Sequence, residues 1–183
     1  MKKIIPKLVI LDRDGVINYD SDDYIKSSVE WRPIPGSIEA IIKLKEKNIP
    51  VAVATNQSGI ARGLFDLATL TRMHNKLYDL LVEDKDAIKH IAYCPHAPDT
   101  NCHCRKPKTG LLEEISKELN IALSPKVFFI GDSFKDIAAA KAANCTPVLV
   151  KTGKGLNMLT KYQHEIKGVM VFDNLQQFVE SLI

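Results

Sequence analysis

Three apolar segments of the sequence each run without interruption into a polar residue, and this pattern limits the possible folds more than any other feature. The segments are KLVILD (7–12), PVAVATN (50–56) and KVFFIGD (126–132). Two later segments, PVLVKTG (147–153) and GVMVFD (168–173), have a similar composition. Short apolar runs without alternation are typical of parallel strands that are covered on both faces. The sequence therefore predicts a set of buried parallel strands.

Segments with a helical period lie between these strands, at 37–48, 67–84, 110–120, 136–144 and 174–183. Regular alternation of strand and helix predicts an α/β fold, a three-layer sandwich with a mostly parallel central sheet and right-handed crossovers. A chain of 183 residues has the usual length of one domain, so we expect a single domain over 1–183. The segments 15–36 and 93–109 have neither period, and loops of such length are usually functional.

Composition excludes several classes of protein. The net charge is only +3, and the lysines are scattered without a basic block, which disfavours a nucleic-acid partner. The apolar runs are too short to span a membrane, and the lysine-containing start MKKIIPKLVI has no cleavage site, so we expect a cytoplasmic protein with no membrane partner. No feature indicates an obligate interface, so we expect a monomer. Four cysteines in such a chain favour metal ligands or free thiols over disulfides.

Polar residues follow three of the predicted strands at the point where each strand ends. Ligands of open parallel sheets bind beyond these carboxyl ends, so Asp12, Thr55 and Asp132 are expected to converge. Asp14 lies two residues after Asp12, and neighbouring carboxylates need a cation or a shared proton. Mg²⁺ suits such all-oxygen ligands. Asp136 follows within the next helical turn and could support the site, or could simply be an acid that is favourable in the first turn of a helix.

The segment TNQSGIARG (55–63) follows the second strand and has the composition of an anion-binding turn. Its short polar side chains and its glycines allow backbone N–H groups to point toward a phosphate. Arg62 could add a bidentate contact. The alternative is that the residues form only a favourable turn. The candidate phosphate-binding residues of this segment are Thr55, Asn56, Gln57, Ser58 and Arg62.

The segment YCPHAPDTNCHCRKP contains a cluster of metal-ligand residues. Cys94, His96, Cys102 and Cys104 form a set of three thiolates and one imidazole, which predicts a closed, structural Zn²⁺ site. His103 could replace His96, but it lies between two ligands and is expected to point away. The isolated Cys145 is expected to be a buried thiol without a ligand role.

Two cations, Arg105 and Lys106, follow the last cysteine directly. A bound zinc ion would hold the loop 93–109 closed and thereby fix both side chains before a substrate arrives. We expect Lys106 to face a transferring phosphate and Arg105 to face the rest of the substrate. The alternative is that both are solvated surface cations.

The motifs LDRDGVIN, TNQSG, CRKP and GDSFKDI, in this order, resemble the four motifs of the haloacid dehalogenase (HAD) superfamily of phosphatases. The resemblance implies that Asp12 is the nucleophile and that Asp14 is the general acid and base. It also implies that Mg²⁺ is held by Asp12, Asp132 and the backbone carbonyl of Asp14. Thr55 and Lys106 would neutralise the phosphoryl oxygens, and Asn56, Gln57 and Ser58 would line the phosphate pocket.

The combination of LDRDGVIN, TNQSGIARG, YCPH and CHCRKP resembles a narrower subgroup, the phosphatases of heptose bisphosphates and of histidinol phosphate. The resemblance implies removal of the C7 phosphate from a heptose 1,7-bisphosphate, in the assembly of heptose precursors for lipopolysaccharide or glycoproteins. One departure is Ser133, because some heptose phosphatases carry a lysine there. Histidinol phosphate remains the alternative substrate.

Substrate selection is expected to depend on loops, because neither gap between the motifs is long enough for the separate cap domain of many HAD phosphatases. The first gap holds only a short loop, and the second holds a helix, a strand and the zinc loop. Tyr19 and Tyr24, together with Asp20, Asp22 and Asp23, offer groups suited to a sugar, although charged loop residues are often merely solvated.

Two readings from other classes are weaker. A phospho-accepting receiver domain also has an acceptor Asp and Mg²⁺, but it does not need a general acid two residues later. A zinc-ribbon nucleic-acid module would have a basic surface and Cys-x-x-Cys knuckles, and this chain has neither.

Overall fold

Six parallel strands form one central sheet in the computed structural model, which describes residues 5–182. The strands are β1 (Leu8–Leu11), β2 (Val51–Asn56), β3 (Ile88–Cys94), β4 (Val127–Gly131), β5 (Thr146–Val150) and β6 (Met170–Phe172). Their order in the sheet is β3-β2-β1-β4-β5-β6, and every neighbouring pair is parallel. This is the doubly wound arrangement in which the chain turns from one side of β1 to the other.

Helices cover both faces of the sheet. They are α1 (Ser37–Glu46), α2 (Leu67–Leu80), α3 (Gly110–Leu119), α4 (Phe134–Ala142), α5 (Gly155–Lys161) and α6 (Leu175–Leu182), and a 3₁₀ segment covers Val82–Ala87. Alternate residues of β1 enter two separate cores. Val9 and Leu11 pack in the core that contains α1, α2 and α6, whereas Leu8 and Ile10 pack in the core with α3 and α4. The predicted three-layer sandwich is therefore confirmed.

Three elements differ from the expectations from sequence. The strand expected in the second gap had no predicted bounds, because β3 lies at the sheet edge and carries the polar residues Lys89 and His90. Helix α5 was not predicted, since the segment GKGLNMLT contains glycine, asparagine and threonine, which are poor helix formers. The helix predicted at 136–144 begins earlier, at Phe134, so the preceding loop is shorter than expected.

Neither connection near the site carries a cap domain within residues 5–182. Residues 12–36, between β1 and α1, contain turns and two isolated bridges, and the connection from β2 to β3 contains α2 and the 3₁₀ segment. The expected absence of a cap is confirmed for this part of the chain. Across the same range, we find no helix with the length and apolar character that crossing a membrane would require.

Strand register determines which polar residues meet at the carboxyl edge of the sheet. Leu11 lies opposite Val53 on β2 and opposite Ile130 on β4. The residues that follow these positions, Asp12, Thr55 and Asp132, therefore emerge side by side at one edge.

Candidate active site

The ammonium group of Lys106 joins two carboxylates at the centre of the site. Its nitrogen lies 2.8 Å from Asp12 Oδ1 and 2.7 Å from Asp136 Oδ1, and it donates a hydrogen bond of 2.8 Å to the carbonyl oxygen of Ala54. Both Lys106 and Asp136 are buried. With three acceptors around it, this ammonium is held in one position beside Asp12.

Three carboxylates from Asp12, Asp132 and Asp136 come within 4.8 Å of one another. Burial, and next the charge of Asp136, raise the pKa of Asp12 well above its usual value, and the same two causes raise the pKa of Asp132 to about 7. Burial alone would lower the pKa of Lys106, but Asp12 and Asp136 outweigh it and raise that pKa. One ammonium cannot balance three carboxylates, so a divalent cation fits the remaining charge.

Glycines at two turns make room for the Asp132 carboxylate. A Cβ atom on Gly15 or on Gly153 would overlap Asp132 Oδ2, and both glycines have positive φ angles, of 84° and 58°. The backbone N–H of Lys154 donates a hydrogen bond of 2.8 Å to the same Oδ2. The turn that follows β5 therefore fixes the orientation of Asp132.

Both oxygens of Asp14 are held by donors. Arg13 contacts the two oxygens, Asn18 Nδ2 donates to Oδ1 at 2.8 Å, and Gln57 Nε2 donates to Oδ2 at 2.8 Å. Burial alone would raise the pKa of Asp14, but the charge of Arg13 and the hydrogen bonds from Asn18, Arg13 and Gln57 outweigh it and lower that pKa. Gln57 Nε2 also donates to Thr55 Oγ1 at 2.8 Å, which links the ends of β1 and β2.

The Asn56 side chain is paired with the main chain of Lys106. Its Oδ1 accepts from the Lys106 N–H at 3.1 Å, and its Nδ2 donates to the Lys106 carbonyl at 3.2 Å. Asn56 thereby ties the end of β2 to the loop that carries the catalytic lysine candidate.

A cavity of about 410 Å³ opens above these residues. Sequence-predicted residues on its wall are Asp12, Asp14, Asp20, Asp22, Tyr24, Thr55, Asn56, Gln57, Ser58, Arg105, Lys106, Asp132 and Asp136. Asp23 and Arg62 do not line it. Asp23 is exposed, and the guanidinium of Arg62 lies 5.8 Å from the ring centre of Tyr24.

Two lysines on the wall were missed by sequence reasoning. Lys135 belongs to α4, and Lys154 precedes α5, where its ammonium lies 3.3 Å from Asp20 and 3.4 Å from Asp22. Burial first, and then the charges of Arg105 and Lys154, lower the pKa of Lys135. A partly buried lysine beside two other cations favours an anion as its partner. One sequence signal for these lysines existed. Ser133 stands in GDSFKDI where some heptose phosphatases have a lysine, so a cation from a nearby position could be expected in its place.

Part of the cavity wall is apolar. Phe134 and Tyr162 stack with ring centres 4.8 Å apart, and Met158 lies beside them on α5. This surface was also missed, because α5 was not predicted.

The cysteine cluster assembles beside the cavity. Sγ and Nδ1 atoms of Cys94, His96, Cys102 and Cys104 lie 3.1–3.6 Å apart in the pairs that touch. Zinc–sulfur bonds of about 2.3 Å place the sulfurs of a tetrahedral site about 3.8 Å apart, so a slight outward movement would admit the ion. The donor set therefore fits zinc.

The other candidates near the cluster point elsewhere. His103 Nε2 lies 2.8 Å from Glu113, on the surface, and Cys145 is buried in the core with α3 and α4. Arg105 Nη1 donates a hydrogen bond of 3.0 Å to the carbonyl of His96. Arg105 is thus fastened to the cluster and also reaches the cavity.

The parallel sheet and the acid–lysine site at its carboxyl edge define a hydrolase of the HAD class. A family model described as HAD-hydrolase-like matches residues 103–178. The chain is 53% identical to D-glycero-β-D-manno-heptose-1,7-bisphosphate 7-phosphatase of Pseudomonas aeruginosa, over 96% of this chain and 97% of the relative, and 54% identical to that of Pseudomonas putida, over 97% and 99%. The chain belongs to this phosphatase family.

A solved structure agrees with this assignment. The D,D-heptose 1,7-bisphosphate phosphatase of B. bronchiseptica, complexed with magnesium and phosphate, superposes with a TM-score of 0.90 at 43% identity, covering 96% of this chain and 97% of that one. The resemblance to the HAD superfamily is confirmed, and membership in a phosphatase family decides against a receiver domain.

Proposed function

We propose that this protein is a Mg²⁺-dependent phosphatase that removes the C7 phosphate of D-glycero-β-D-manno-heptose 1,7-bisphosphate. The observation that carries the proposal is the Asp12 carboxylate at the floor of the cavity, with the Lys106 ammonium 2.8 Å away. The names of the relatives support the sugar and the β anomer.

Asp12 is the proposed nucleophile. Its oxygen attacks phosphorus, the bond from phosphorus to the C7 oxygen breaks, and that oxygen takes a proton from Asp14. The product of this step is an aspartyl-phosphate. Water then attacks the phosphorus, Asp14 takes the proton of the water, and the bond to Asp12 breaks to release inorganic phosphate. Arg13 N–H donates to Asp12 Oδ1 at 2.7 Å, so this N–H and Lys106 orient the nucleophile together.

Asp12, Asp132 and the backbone carbonyl of Asp14 are the proposed ligands of Mg²⁺. When bound, the ion supplies positive charge that the three-carboxylate cluster lacks and that the transferring phosphoryl group needs. The magnesium and phosphate of the B. bronchiseptica structure support this assignment.

The transferring phosphate is expected to contact Lys106 and the end of β2. Lys106 and the hydroxyl of Thr55 neutralise phosphoryl oxygens, and the buried Ser58 contributes from the turn beyond. We propose that Gln57 and Asn56 act at this pocket mainly through the residues that they hold. The Gln57 amide is already bonded to Asp14 and Thr55, and the Asn56 amide is bonded to Lys106.

The second phosphate distinguishes a bisphosphate from other substrates. We assign it to three cations on the cavity wall, Arg105, Lys135 and Lys154. None of the three has a role in the proposed reaction at Asp12. Lys135 thereby supplies the positive charge that is missing at Ser133. Asp20 and Asp22 hold Lys154 and remain the candidates for contacts to sugar hydroxyls.

Zn²⁺ is the proposed occupant of the cysteine cluster, where it acts as a structural ion. All four ligands come from the protein, so no position remains for a substrate. A bound ion would close the loop from Cys94 to Cys104. It would thereby fix Arg105, which donates a hydrogen bond to the carbonyl of His96, and the adjacent Lys106.

The test is a comparison of kcat/KM, with Mg²⁺, for the β and α anomers of the bisphosphate, the 7-monophosphate and histidinol phosphate. The β bisphosphate is expected to be preferred by orders of magnitude, and Asp12→Asn is expected to abolish turnover. A preference for histidinol phosphate would contradict the proposed substrate and would identify the enzyme as a histidinol-phosphate phosphatase.

A matched pair of variants tests the second-phosphate assignment. Lys135→Ala is expected to lower kcat/KM for the bisphosphate about tenfold or more and to leave the 7-monophosphate nearly unchanged, since one charge-assisted contact is lost. Lys141→Ala, on the same helix but outside the cavity wall, is the control. An equal loss on both substrates would contradict the assignment.

A further inference from the structure

Arg13 lies between the two catalytic acid candidates in sequence and has almost no contact with solvent, with 1% of its surface exposed. Its guanidinium binds both oxygens of the Asp14 carboxylate through two nitrogens, in a fork-like geometry. Nη2 lies 2.9 Å from Oδ1 and 3.0 Å from Oδ2, and Nε lies 3.2 Å from Oδ1. A fork of this kind fixes the plane of a carboxylate as well as its distance.

The far side of the guanidinium is held by α2. Nη1 lies 3.9 Å from Met73 Sδ and 3.5 Å from His74 Nε2. Burial, and next the charge of Arg13, lower the pKa of His74 to about 3, so the imidazole is neutral and its Nε2 can accept from Nη1. Arg13 is therefore clamped between a helix of the core and Asp14.

Full burial makes this arrangement costly for the fold, because a guanidinium loses its hydration when it leaves water. A surface arginine would balance the charge of Asp14 at less cost. What burial adds is rigidity, because the surrounding side chains fix the guanidinium in one position. A lysine could balance the charge but could not hold two carboxylate oxygens in one plane.

We propose that Arg13 is a positioning residue for proton transfer, which sets the orientation from which Asp14 protonates the leaving oxygen and later deprotonates water. The proposal rests on the acid–base role of Asp14 in the proposed function. The Arg13 side chain does not line the cavity, and it acts on the reaction only through Asp14, whereas the bond to Asp12 comes from the backbone N–H of Arg13 and is kept in any side-chain variant.

Leaving groups of different basicity separate positioning from a general structural role. The C7 alkoxide of the sugar needs a proton as its bond to phosphorus breaks, whereas the leaving group of p-nitrophenyl phosphate does not. The first turnover, followed by rapid quench for the sugar bisphosphate and by the burst of p-nitrophenolate, reports formation of the aspartyl-phosphate alone.

We expect Arg13→Lys to slow the first turnover of the sugar bisphosphate by about tenfold to a hundredfold, as part of the effect of a general acid, with KM nearly unchanged. The burst rate with p-nitrophenyl phosphate should stay within about twofold of the parent protein, by the same reasoning. Steady-state turnover of p-nitrophenyl phosphate should fall, because the second step still needs Asp14 as a base. Arg72→Lys, on the exposed side of α2, should change none of these rates.

A second variant covers the case in which Arg13→Lys does not fold. His74→Ala removes the support behind Arg13 without touching Asp14, and should give the same selectivity for the leaving group with a smaller magnitude. Equal slowing of both substrates in these variants, or no slowing, would overturn the proposal.

Asp14→Asn distinguishes failure of this proposal from failure of the proposed function. Strong selectivity in Asp14→Asn without selectivity in the Arg13 and His74 variants would overturn the positioning role alone. Absence of selectivity in Asp14→Asn would overturn the acid–base role of Asp14, and the positioning role with it.

Discussion

Lys106 and Asp136 form an ion pair inside the protein, with their nitrogen and oxygen atoms 2.7 Å apart and with 2% and 0% of their side chains exposed. The second carboxylate oxygen of Asp136 accepts hydrogen bonds from the N–H and the hydroxyl of Ser133, at 3.0 and 2.6 Å. Asp136 therefore connects the start of α4 to the lysine beside the nucleophile.

Asp136→Ala should lower the free energy of unfolding by about 3–5 kcal/mol, because it leaves the Lys106 ammonium buried with an incomplete set of partners. It should also lower kcat, since Lys106 is no longer held at two carboxylates. Chemical denaturation measures the first effect. The control is Asp173→Ala, whose pair with Lys151 is exposed and should contribute little to stability. Equal stability of the two variants would show that the buried pair is not a structural determinant.

Gly153→Ala should raise the Mg²⁺ concentration needed for half-maximal activity by about tenfold or more, because its Cβ displaces the Asp132 carboxylate. Gly168→Ala is the matched control. Its glycine also has a positive φ, of 79°, but a Cβ there meets nothing within 4 Å, so it carries the backbone strain without touching the site. A magnesium titration of activity compares the two. The same shift in both variants would assign the effect to backbone strain.

Cys102→Ser should remove bound zinc and lower kcat/KM, because the loop that presents Arg105 and Lys106 loses its closure. Cys145→Ala should keep one zinc ion per chain and most of the activity, since that thiol lies outside the cluster. Metal analysis and kinetics on the same samples provide the measurement. Full activity of a zinc-free Cys102→Ser protein would refute the structural role of the ion.

The four thiols should fall into two classes toward a chromogenic disulfide reagent at pH 8. Burial raises the pKa of Cys145 to about 11, so only about one molecule in a thousand carries its thiolate there. After zinc is chelated, the cluster thiols should react, whereas Cys145 should react only once the protein is unfolded. Release of a fourth equivalent from the folded, zinc-free protein would contradict the buried environment of Cys145.

The sequence predicted the parts of the molecule that depend on local pattern. Apolar runs with polar ends located five of the six strands, and the same ends carry Asp12, Thr55 and Asp132, which the sheet brings together. The ligand spacing of the cysteine cluster identified four side chains that do meet. The single domain over 1–183, the monomeric state and the cytoplasmic location stay predictions, as do the catalytic roles.

The missed features depend on contacts between distant parts of the chain. Lys135 and Lys154 enter the cavity from α4 and from the turn after β5, and no local pattern separates them from surface lysines. The Lys106–Asp136 pair joins residues on different elements in the same way. Short or polar elements such as α5 and the edge strand β3 form because the rest of the fold packs against them, which outweighs their weak intrinsic propensity.

The position of β1 in the sheet has a consequence for biosynthesis. Val9 pairs with Val51 on one side and with Phe128 on the other. During translation, β1 and the Asp12 that follows it emerge long before their partners. Lys106, the counter-charge of Asp12, comes later, and β4, the second neighbour of β1, comes later still. A ribosome that stalls before β4 is complete would leave β1 as an open, apolar edge, and such edges aggregate. Chaperone dependence of the nascent chain should therefore end only when β4 has emerged.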